Sequence, residues 1–508
     1  MKTLTLTLIL ALPLSRTVGQ VNDFVDGASS VATARIPTAV ALAGPRVVPM
    51  MVELPDTRPA LDRAQVGAAD KRLDIGYVEA FDSARFAGWP IQQRAGGGWV
   101  SRVEFHSKDA EGLRLKIVGL RELAGVKLRV YDPAGTTVLG PFTTAHTAED
   151  GSWWSPTIFG ETIGLELFVP EDIEPPSALP GIAAVAFLNC KCSFLAGTTL
   201  NCHNDVTCFS GWKNRDARAG ARITFISGGS CTACSGALLN RDPGDFSPLF
   251  MTANHCINTQ AEADTAELFW QYETSVCDGA TTAPNPNTLP RNLGTLLVKR
   301  RSSADWTLLG LYDPPDSNAG PHWYLGWDSR SWSRNEAGIV VHHPLGSFKR
   351  ISFGTTHGTQ TACSFSASTR RETYTSGTTE PGSSGAPQMD SSRRVRGALS
   401  CGDLGCEIND YYARFDVAYD NLRYYLGDSY IASPVYVDDG VSGDAGNNGS
   451  TEQGSFGAPF NTVHEATYAV RSGDTIRIEP GNYDEQFRIW RPMTLKRRGS
   501  SGTVRIGD

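Results

Sequence analysis

The distribution of cysteines along the chain is the feature that most constrains its fold. The sequence has 508 residues and eleven cysteines, all of which lie between Cys190 and Cys406. This number of cysteines is typical of a protein that folds in an oxidising compartment. Zinc binding is the competing interpretation for closely spaced pairs such as Cys231 and Cys234, but no second pair stands at the spacing of a zinc finger. We therefore expect a disulfide-stabilised unit in the middle of the chain and no metal site.

The amino terminus and the overall charge indicate where the protein is found. Residues 1–20 carry a lysine near their start and then a short apolar segment, residues 4–14, which is typical of a signal peptide and too brief to span a bilayer. The chain carries 46 basic and 54 acidic side chains, and its net charge is −8. Without long runs of either sign, this balance argues against nucleic acid or a membrane as a partner. The sequence therefore predicts a protein that is secreted or held in a periplasm.

The pattern of apolar residues divides the chain into several parts. Residues 21–74 show no sustained period and are predicted to be a leader with little structure of its own. Residues 75–175 contain short alternating segments separated by turns, which predicts a β-sandwich. Residues 171–180 are rich in proline and acidic residues, and residues 176–196 are predicted to form an exposed linker with a processing site. Strand and turn patterns fill residues 197–430, with a helical period only near the end, as expected for two β-barrels.

Three polar residues in this last unit have the types and contexts that nucleophilic catalysis requires. Ser384 lies in a Gly-Ser-Ser-Gly-Ala-Pro segment, whose glycines allow the backbone to present a hydroxyl and nearby amides in one direction. Alone, this segment is equally consistent with a surface turn. His255 ends an apolar strand and Asp305 begins another, and a serine nucleophile needs both an imidazole and a carboxylate that orients it. The order His, Asp, Ser is that of the chymotrypsin-type triad, so the sequence predicts a triad here.

Six short stretches of the same unit, in one order along the chain, resemble a known family. They are residues 234–239 (CSGALL), 252–256 (TANHC), 269–272 (FWQY), 305–309 (DWTLL), 342–352 (HHPLGSFKRIS) and 380–387 (EPGSSGAP). On these stretches, residues 197 to about 430 resemble the bacterial lysyl endopeptidase family, which has a chymotrypsin-like double β-barrel. The resemblance implies that Ser384 is the nucleophile, His255 the general base and Asp305 the orienting carboxylate. It also implies an oxyanion hole formed by the backbone amides of Gly382 and Ser384.

The resemblance also implies three disulfides, and the other cysteines have no partner in the family. The implied pairs are Cys202 with Cys406, Cys208 with Cys277, and Cys234 with Cys256. The cysteines left over are Cys190, Cys192, Cys231, Cys363 and Cys401, an odd number that implies a free thiol or the loss of one cysteine with the leader. We predict a further disulfide between Cys363 and Cys401, which flank the nucleophile in sequence and could stiffen its surroundings.

The resemblance also implies that one carboxylate selects the substrate residue that precedes the cleaved bond. Trypsin places this group six residues before its nucleophile, and the present chain has Thr378 there. The family takes it from a later strand that resembles residues 409–415, which places it on Asp410. A buried carboxylate attracts a substrate ammonium strongly, so cleavage after lysine is implied. Ala413 stands where the family has glycine, and the segment from Cys406 to Asp410 is shorter. A broader lysine and arginine specificity, or a plain strand cap at Asp410, is therefore the alternative.

Residues 431–508 differ in kind from the rest of the chain. From about residue 434 they resemble the opening coils of a right-handed parallel β-helix, although stacked coils generally need about three repeats to bury a continuous core. An accessory module that contacts a polysaccharide or a cell surface is one interpretation. The acidic loop at residues 438–449 does not match the spacing of a calcium loop and is predicted to be a solvated turn. The predicted fold is thus all-β, a chymotrypsin-like double β-barrel with an N-terminal β-sandwich pro-region and a short C-terminal β-helix-like segment.

These features favour a secreted serine endopeptidase that acts on protein or peptide substrates and needs no cofactor. The alternative is an inactive protease-fold protein that binds a surface polysaccharide, and the presence of all three triad residues argues against it. Ser383 stands where animal trypsins have the aspartate used in activation, so we expect activation by removal of the leader near Gly197. The preceding residue is Ala196 and the nearest lysine is Lys191. We interpret the adjacent histidines, His342 and His343, as structural residues.

Overall fold

A computed structural model shows that the chain is built mainly from β-strands. It describes residues 21–22, 25–26, 42–43, 47–58, 71–86, 88–90, 93–148, 150–174, 176, 178–189, 200–242, 244, 246–278, 285–427, 433–441, 452–485, 489 and 491–507. The α-helices in these ranges are short, namely Ser210–Lys213, Gln260–Asp264, Phe415–Leu422 and Val463–Ala469, and the remaining helical turns are 3₁₀. None of the helices in the described part of the chain is long and apolar enough to cross a membrane. The all-β class predicted from the sequence is confirmed.

Two β-barrels form the centre of the molecule. The strands of the first barrel, in the order in which they pair, are Arg291–Leu293, Glu267–Trp270, Gly220–Ser227, Ser230–Leu239, Leu249–Thr252, Trp306–Leu311 and Thr295–Arg301. The second barrel closes on itself through Val395–Gly402, Pro387–Met389, Ala337–His342, Arg350–Gln360, Thr369–Ser376 and Asn409–Arg414. Apolar residues of both barrels join in one large core, and the second barrel has a further buried cluster around Val340, Leu399 and Tyr412. This is the double β-barrel architecture expected from the sequence.

The helix that follows the second barrel packs back onto the core. Phe415–Leu422 begins directly after the last barrel strand and buries Phe415, Ala418 and Leu422 at helical spacing. The ring of Phe415 lies against Trp306 and Trp327, with centroids 5.2 and 5.7 Å apart. The helical period recognised in the sequence therefore corresponds to a helix that covers the core.

An N-terminal β-sandwich precedes the barrels. One of its sheets contains Met50–Glu53, Gln93–Ala95, Gly98–His106, Lys127–Tyr131, Val138–Phe142 and Thr162–Pro170. The facing sheet contains Leu73–Ala80, Gly112–Val118, Trp153–Trp154, Ile158–Phe159 and Gly181–Leu188. Alternate residues such as Val103, Phe105, Leu115 and Leu165 are fully buried between the sheets. The alternation in the sequence thus places one face of each strand in the core.

One strand, Leu73–Ala80, joins the sandwich to the first barrel. It pairs with Gly181–Leu188 of the sandwich on one edge and with Ser230–Leu239 of the barrel on the other. Two expectations from the sequence are therefore wrong. The predicted linker, residues 176–196, contains a paired strand because its apolar residues 182–188 fill the sheet. The predicted leader, residues 21–74, contributes strands to four different sheets, although its own sequence shows no sustained period.

The C-terminal segment consists of short parallel strands that pack onto the first barrel. Val435–Val437, Thr475–Ile478 and Thr494–Arg497 form one parallel sheet, and Gly481–Tyr483 pairs in parallel with Val504–Ile506. This is the pairing that the resemblance to a β-helix implies. The hydroxyl of Tyr468 donates a hydrogen bond to the carbonyl of Leu311 at 2.9 Å, and the apolar residues of the segment join the core of the barrels. The segment thus buries its apolar face against the barrel. Residues 442–450 of its acidic loop lie outside the described residues.

Candidate active site

Neighbouring strands of the first barrel bring His255 and Asp305 together. Leu249–Thr252 pairs with Trp306–Leu311, so the turn after the first strand and the residue before the second meet at the same edge of the sheet. Asp305 has a left-handed backbone (φ 55°) and its side chain is buried. Its carboxylate accepts a hydrogen bond from the backbone amide of His255 at 2.9 Å, and its other oxygen lies 2.9 Å from His255 Nδ1. This contact fixes the orientation of the imidazole.

Ser384 reaches the same imidazole from the second barrel. Its hydroxyl oxygen lies 2.7 Å from His255 Nε2, and Ser384 itself is fully buried. The carbonyl of Ser384 accepts a hydrogen bond from the amide of Ser235 at 2.8 Å, which connects the Ser384 loop to the first barrel. Ser235 Oγ donates to the carbonyl of Gly382 at 2.9 Å. Sequence reasoning assigned no role to Ser235, although it lies in one of the stretches that carry the family resemblance.

The backbone amide of Ser384 and that of Gly382 donate to the same oxygen. The amides of Gly382 and Ser384 donate to the carbonyl of Lys71, at 2.5 and 3.3 Å. Gly382 has φ of +93°, and a Cβ there would lie 2.8 Å from the amide nitrogen of Gly346. Only glycine fits this conformation without displacing its neighbour. Such a pair of donors can stabilise negative charge on a carbonyl oxygen.

A buried pocket holds the side chain of Lys71. The ammonium of Lys71 lies 3.1 Å from Asp410 Oδ1, and both side chains are fully buried. The ammonium also donates to Thr379 Oγ1 at 3.0 Å, to the carbonyl of Thr379 at 3.2 Å, and to the carbonyl of Asp403 at 2.5 Å. Lys71 belongs to the region predicted to be a leader, and its side chain fills the pocket that contains Asp410. The pocket therefore meets a cation with one carboxylate and three neutral acceptors.

Further residues hold Asp410 in position. The hydroxyl of Tyr374 donates to Asp410 Oδ2 at 2.7 Å, and the hydroxyl of Thr379 donates to the same oxygen. A Cβ at position 402 would overlap Asp410 Oδ1, so Gly402 leaves the space that this carboxylate occupies. Behind the pocket, burial raises the pKa of Glu372 to about 8. None of these supporting residues was identified from the sequence, because only the folded sheet brings them to Asp410.

Two buried histidines behind the Ser384 loop make structural contacts. His342 lies between two hydroxyls, with Nδ1 2.8 Å from Ser383 Oγ and Nε2 3.1 Å from Ser352 Oγ. His343 Nδ1 lies 2.9 Å from the carbonyl of Ser347. Burial lowers the pKa of both imidazoles well below the usual range, so both are neutral. Neither contacts the His255 imidazole through these bonds, which agrees with a structural role for the pair.

The described part of the structure contains four disulfides. They are Cys202 with Cys406, Cys208 with Cys277, Cys234 with Cys256, and Cys363 with Cys401. The third joins the strand Ser230–Leu239 to the residue after His255. Cys231 is a free, buried thiol whose pKa is raised to about 12 by burial. Cys190 and Cys192 lie outside the described residues, as do the predicted signal peptide and Lys191, Ala196 and Gly197 near the expected processing site.

Comparisons with known proteins match most of the chain. The family model for the lysyl endopeptidase N-terminal domain matches residues 54–187, and that for the lysyl endopeptidase C-terminal domain matches residues 196–414. A lysyl endopeptidase of Pseudomonas aeruginosa is 29% identical over 374 residues, which covers 69% of this chain and 77% of that protein. The two family models together span the sandwich and both barrels.

Among solved structures, similarity is weaker. The HtrA-type protease AlgW with a tripeptide is 15% identical, with a TM-score of 0.29, over 41% of this chain and 60% of that chain. The crystal structure of Deg5 is 13% identical, with a TM-score of 0.30, over 43% of this chain and 93% of that chain.

Proposed function

We propose that this chain, which belongs to the lysyl endopeptidase family and is a serine protease, hydrolyses peptide bonds on the carboxyl side of lysine through an acyl-enzyme at Ser384. One observation carries the proposal. The side chain of Lys71 pairs with Asp410 while its carbonyl accepts hydrogen bonds from the two amides beside Ser384. A lysine and the bond that follows it are thereby presented to the nucleophile together.

The proposed reaction uses His255 as a base and then as an acid. His255 Nε2 takes the proton of Ser384 Oγ as this oxygen attacks the carbonyl carbon of the substrate lysine. Asp305 accepts a hydrogen bond from Nδ1 and stabilises the imidazolium that forms. The backbone amides of Gly382 and Ser384 donate hydrogen bonds to the developing oxyanion. Loss of one such donor typically lowers the rate by about 100-fold or more. His255 then protonates the leaving amine, and water activated by His255 releases the acyl group.

The pocket chemistry favours lysine over neutral residues. A neutral side chain would leave Asp410 buried without its partner, at a cost of several kcal/mol. Besides Asp410, the Lys71 ammonium has three neutral oxygen acceptors within hydrogen-bonding distance, and an ammonium has three N–H groups to donate. Arginine is longer and needs a planar set of acceptors, so we propose that the pocket accepts it less well.

We further propose that the protein is secreted as a precursor and acts on protein or peptide substrates. The disulfides support export, because they persist in oxidising compartments. The proposed domains are a signal peptide at residues 1–20, a pro-region that contains the β-sandwich, the protease barrels to about residue 430, and the C-terminal segment.

The experiment that tests this function compares matched peptide substrates. Three fluorogenic peptides would differ only in having lysine, arginine or glutamine before the reporter group. We expect the highest kcat/KM for lysine, and no turnover in the Ser384→Ala variant. Comparable cleavage after glutamine would contradict the proposed pocket. A protease-fold binding protein without activity would turn over none of the peptides and would not be labelled by an organophosphate at Ser384.

A further inference from the structure

The leader crosses the active site in the manner of a bound substrate. The carbonyl of Lys71 occupies the two-amide site, and the next residue, Arg72, donates from its guanidinium to the carbonyl of His255 at 3.3 Å. Leu73 and Asp74 then pair antiparallel with Ala233 and Thr232, at the edge of the first barrel. Backbone on the carboxyl side of the Lys71–Arg72 bond is therefore held by the barrel as an added strand, a recognised mode of peptide binding.

We propose that the Lys71–Arg72 bond is a self-cleavage site, which the precursor cuts in its own active site. This inference rests on the proposed function, because it requires a lysine-specific nucleophile at Ser384. It places a first processing step well upstream of the region near Gly197 where the sequence predicts removal of the leader. It also makes Lys71 an inhibitor in the precursor, because an external substrate cannot enter a pocket that Lys71 fills.

The proposed step balances as an ordinary peptide hydrolysis. Ser384 Oγ bonds to the carbonyl carbon of Lys71, and its proton passes to His255. The bond from that carbon to the nitrogen of Arg72 breaks, and His255 returns the proton to this nitrogen as the amine leaves. Water then hydrolyses the ester. The products are a chain that ends in the carboxylate of Lys71 and a chain that begins with the free amine of Arg72.

The structure indicates that this cut leaves the pro-region bound. The strand Leu73–Ala80 is paired along both edges, and Leu73 and Ile75 are almost fully buried against residues of the barrel and the sandwich. None of these contacts depends on the Lys71–Arg72 bond. We therefore expect the fragment that starts at Arg72 to stay attached to the barrels until a later cut removes the sandwich.

The position of Lys71 distinguishes it from other lysines of the sandwich. Lys108 is exposed in a turn, whereas Lys71 is fully buried and pairs with Asp410. Cleavage by a separate enzyme molecule should favour the exposed lysine. Cleavage within one molecule should instead select Lys71. Lys108→Gln is therefore a matched control for Lys71→Gln.

The test follows the purified full-length precursor by intact mass and N-terminal sequencing. We expect a new N-terminus at Arg72 in the wild type, formed with the same rate constant when the protein is diluted tenfold. The new N-terminus should be absent in Ser384→Ala and in Lys71→Gln, and unchanged in Lys108→Gln. The wild-type measurement does not depend on whether any variant folds.

Two outcomes would overturn the inference and can be told apart from failure of the proposed function. An intact Lys71–Arg72 bond in a preparation that cleaves lysyl peptides would refute self-cleavage alone. A rate that falls in proportion to concentration would show cleavage between molecules and would refute the intramolecular step. Absence of both lysyl peptide cleavage and organophosphate labelling at Ser384 would instead refute the proposed function.

Discussion

Replacing Asp410 with asparagine isolates the charge at the base of the proposed pocket. The variant keeps the shape of the side chain and an oxygen that can accept from Tyr374 and Thr379, but the ammonium of a bound lysine loses its only carboxylate within the contacts described here. Removing one partner of a buried ion pair costs about 3–5 kcal/mol. Each 1.36 kcal/mol is tenfold in rate. We therefore expect kcat/KM on lysyl peptides to fall roughly 100-fold to several thousand-fold.

The control for this variant is Asp403→Asn. Asp403 contacts the Lys71 ammonium only through its backbone carbonyl, and its side chain is exposed, so the substitution should leave kcat/KM nearly unchanged. Organophosphate labelling of Ser384 should proceed normally in Asp410→Asn, because the reagent does not enter the pocket as a cation. Lysyl cleavage within about threefold of wild type, or an equal loss of labelling, would refute Asp410 as the residue that selects lysine.

Three further variants test other parts of the structure. Gly382→Ala should lower kcat by about 100-fold or more with little change in KM, because the added Cβ displaces the donor loop, and an unchanged kcat would contradict the proposed oxyanion site. Burial raises the pKa of Glu372 to about 8, above its unfolded value, so its neutral form stabilises the fold at low pH and this contribution is lost as pH rises from about 4.5 towards 8. As pH rises over that window, the Tm of Glu372→Gln should therefore fall less than the Tm of wild type. Identical pH profiles of Tm in the two proteins would contradict a buried neutral carboxyl at Glu372. Tyr468→Ala should lower the free energy of unfolding by about 3 kcal/mol in urea titration, because Tyr468 is fully buried against the barrel, and a negligible change would show that the C-terminal segment is not part of the core.

Each of the three residues predicted to form a triad lies in a short local pattern. His255 and Asp305 stand at the ends of apolar strands, and Ser384 stands in a glycine turn. The structure places the His255 imidazole within hydrogen-bonding distance of both Asp305 and Ser384. The disulfide of Cys363 with Cys401, predicted from their positions around the nucleophile, is also present.

The role of Lys71 could not be predicted from the sequence. It lies in a region without a sustained period, and the strand after it is stabilised by partners more than one hundred residues further along the chain. The apolar run in Gly181–Leu188 was interpreted as part of a linker because prolines and acidic residues precede it. Both errors have the same physical cause. The strand Leu73–Ala80 pairs with the sandwich along one edge and with the first barrel along the other, and its own sequence does not indicate either partner.

The acyl-enzyme itself provides the most direct test of the central claim. Active enzyme, freed of Lys71, would be mixed with an activated ester of lysine and quenched in acid within its first turnover, then digested and analysed by mass spectrometry. We predict a lysyl ester on Ser384, absent in Ser384→Ala and formed much more slowly in Asp410→Asn. An acyl group on another residue, or turnover of the ester with no covalent intermediate in a preparation that cleaves lysyl peptides, would contradict the account.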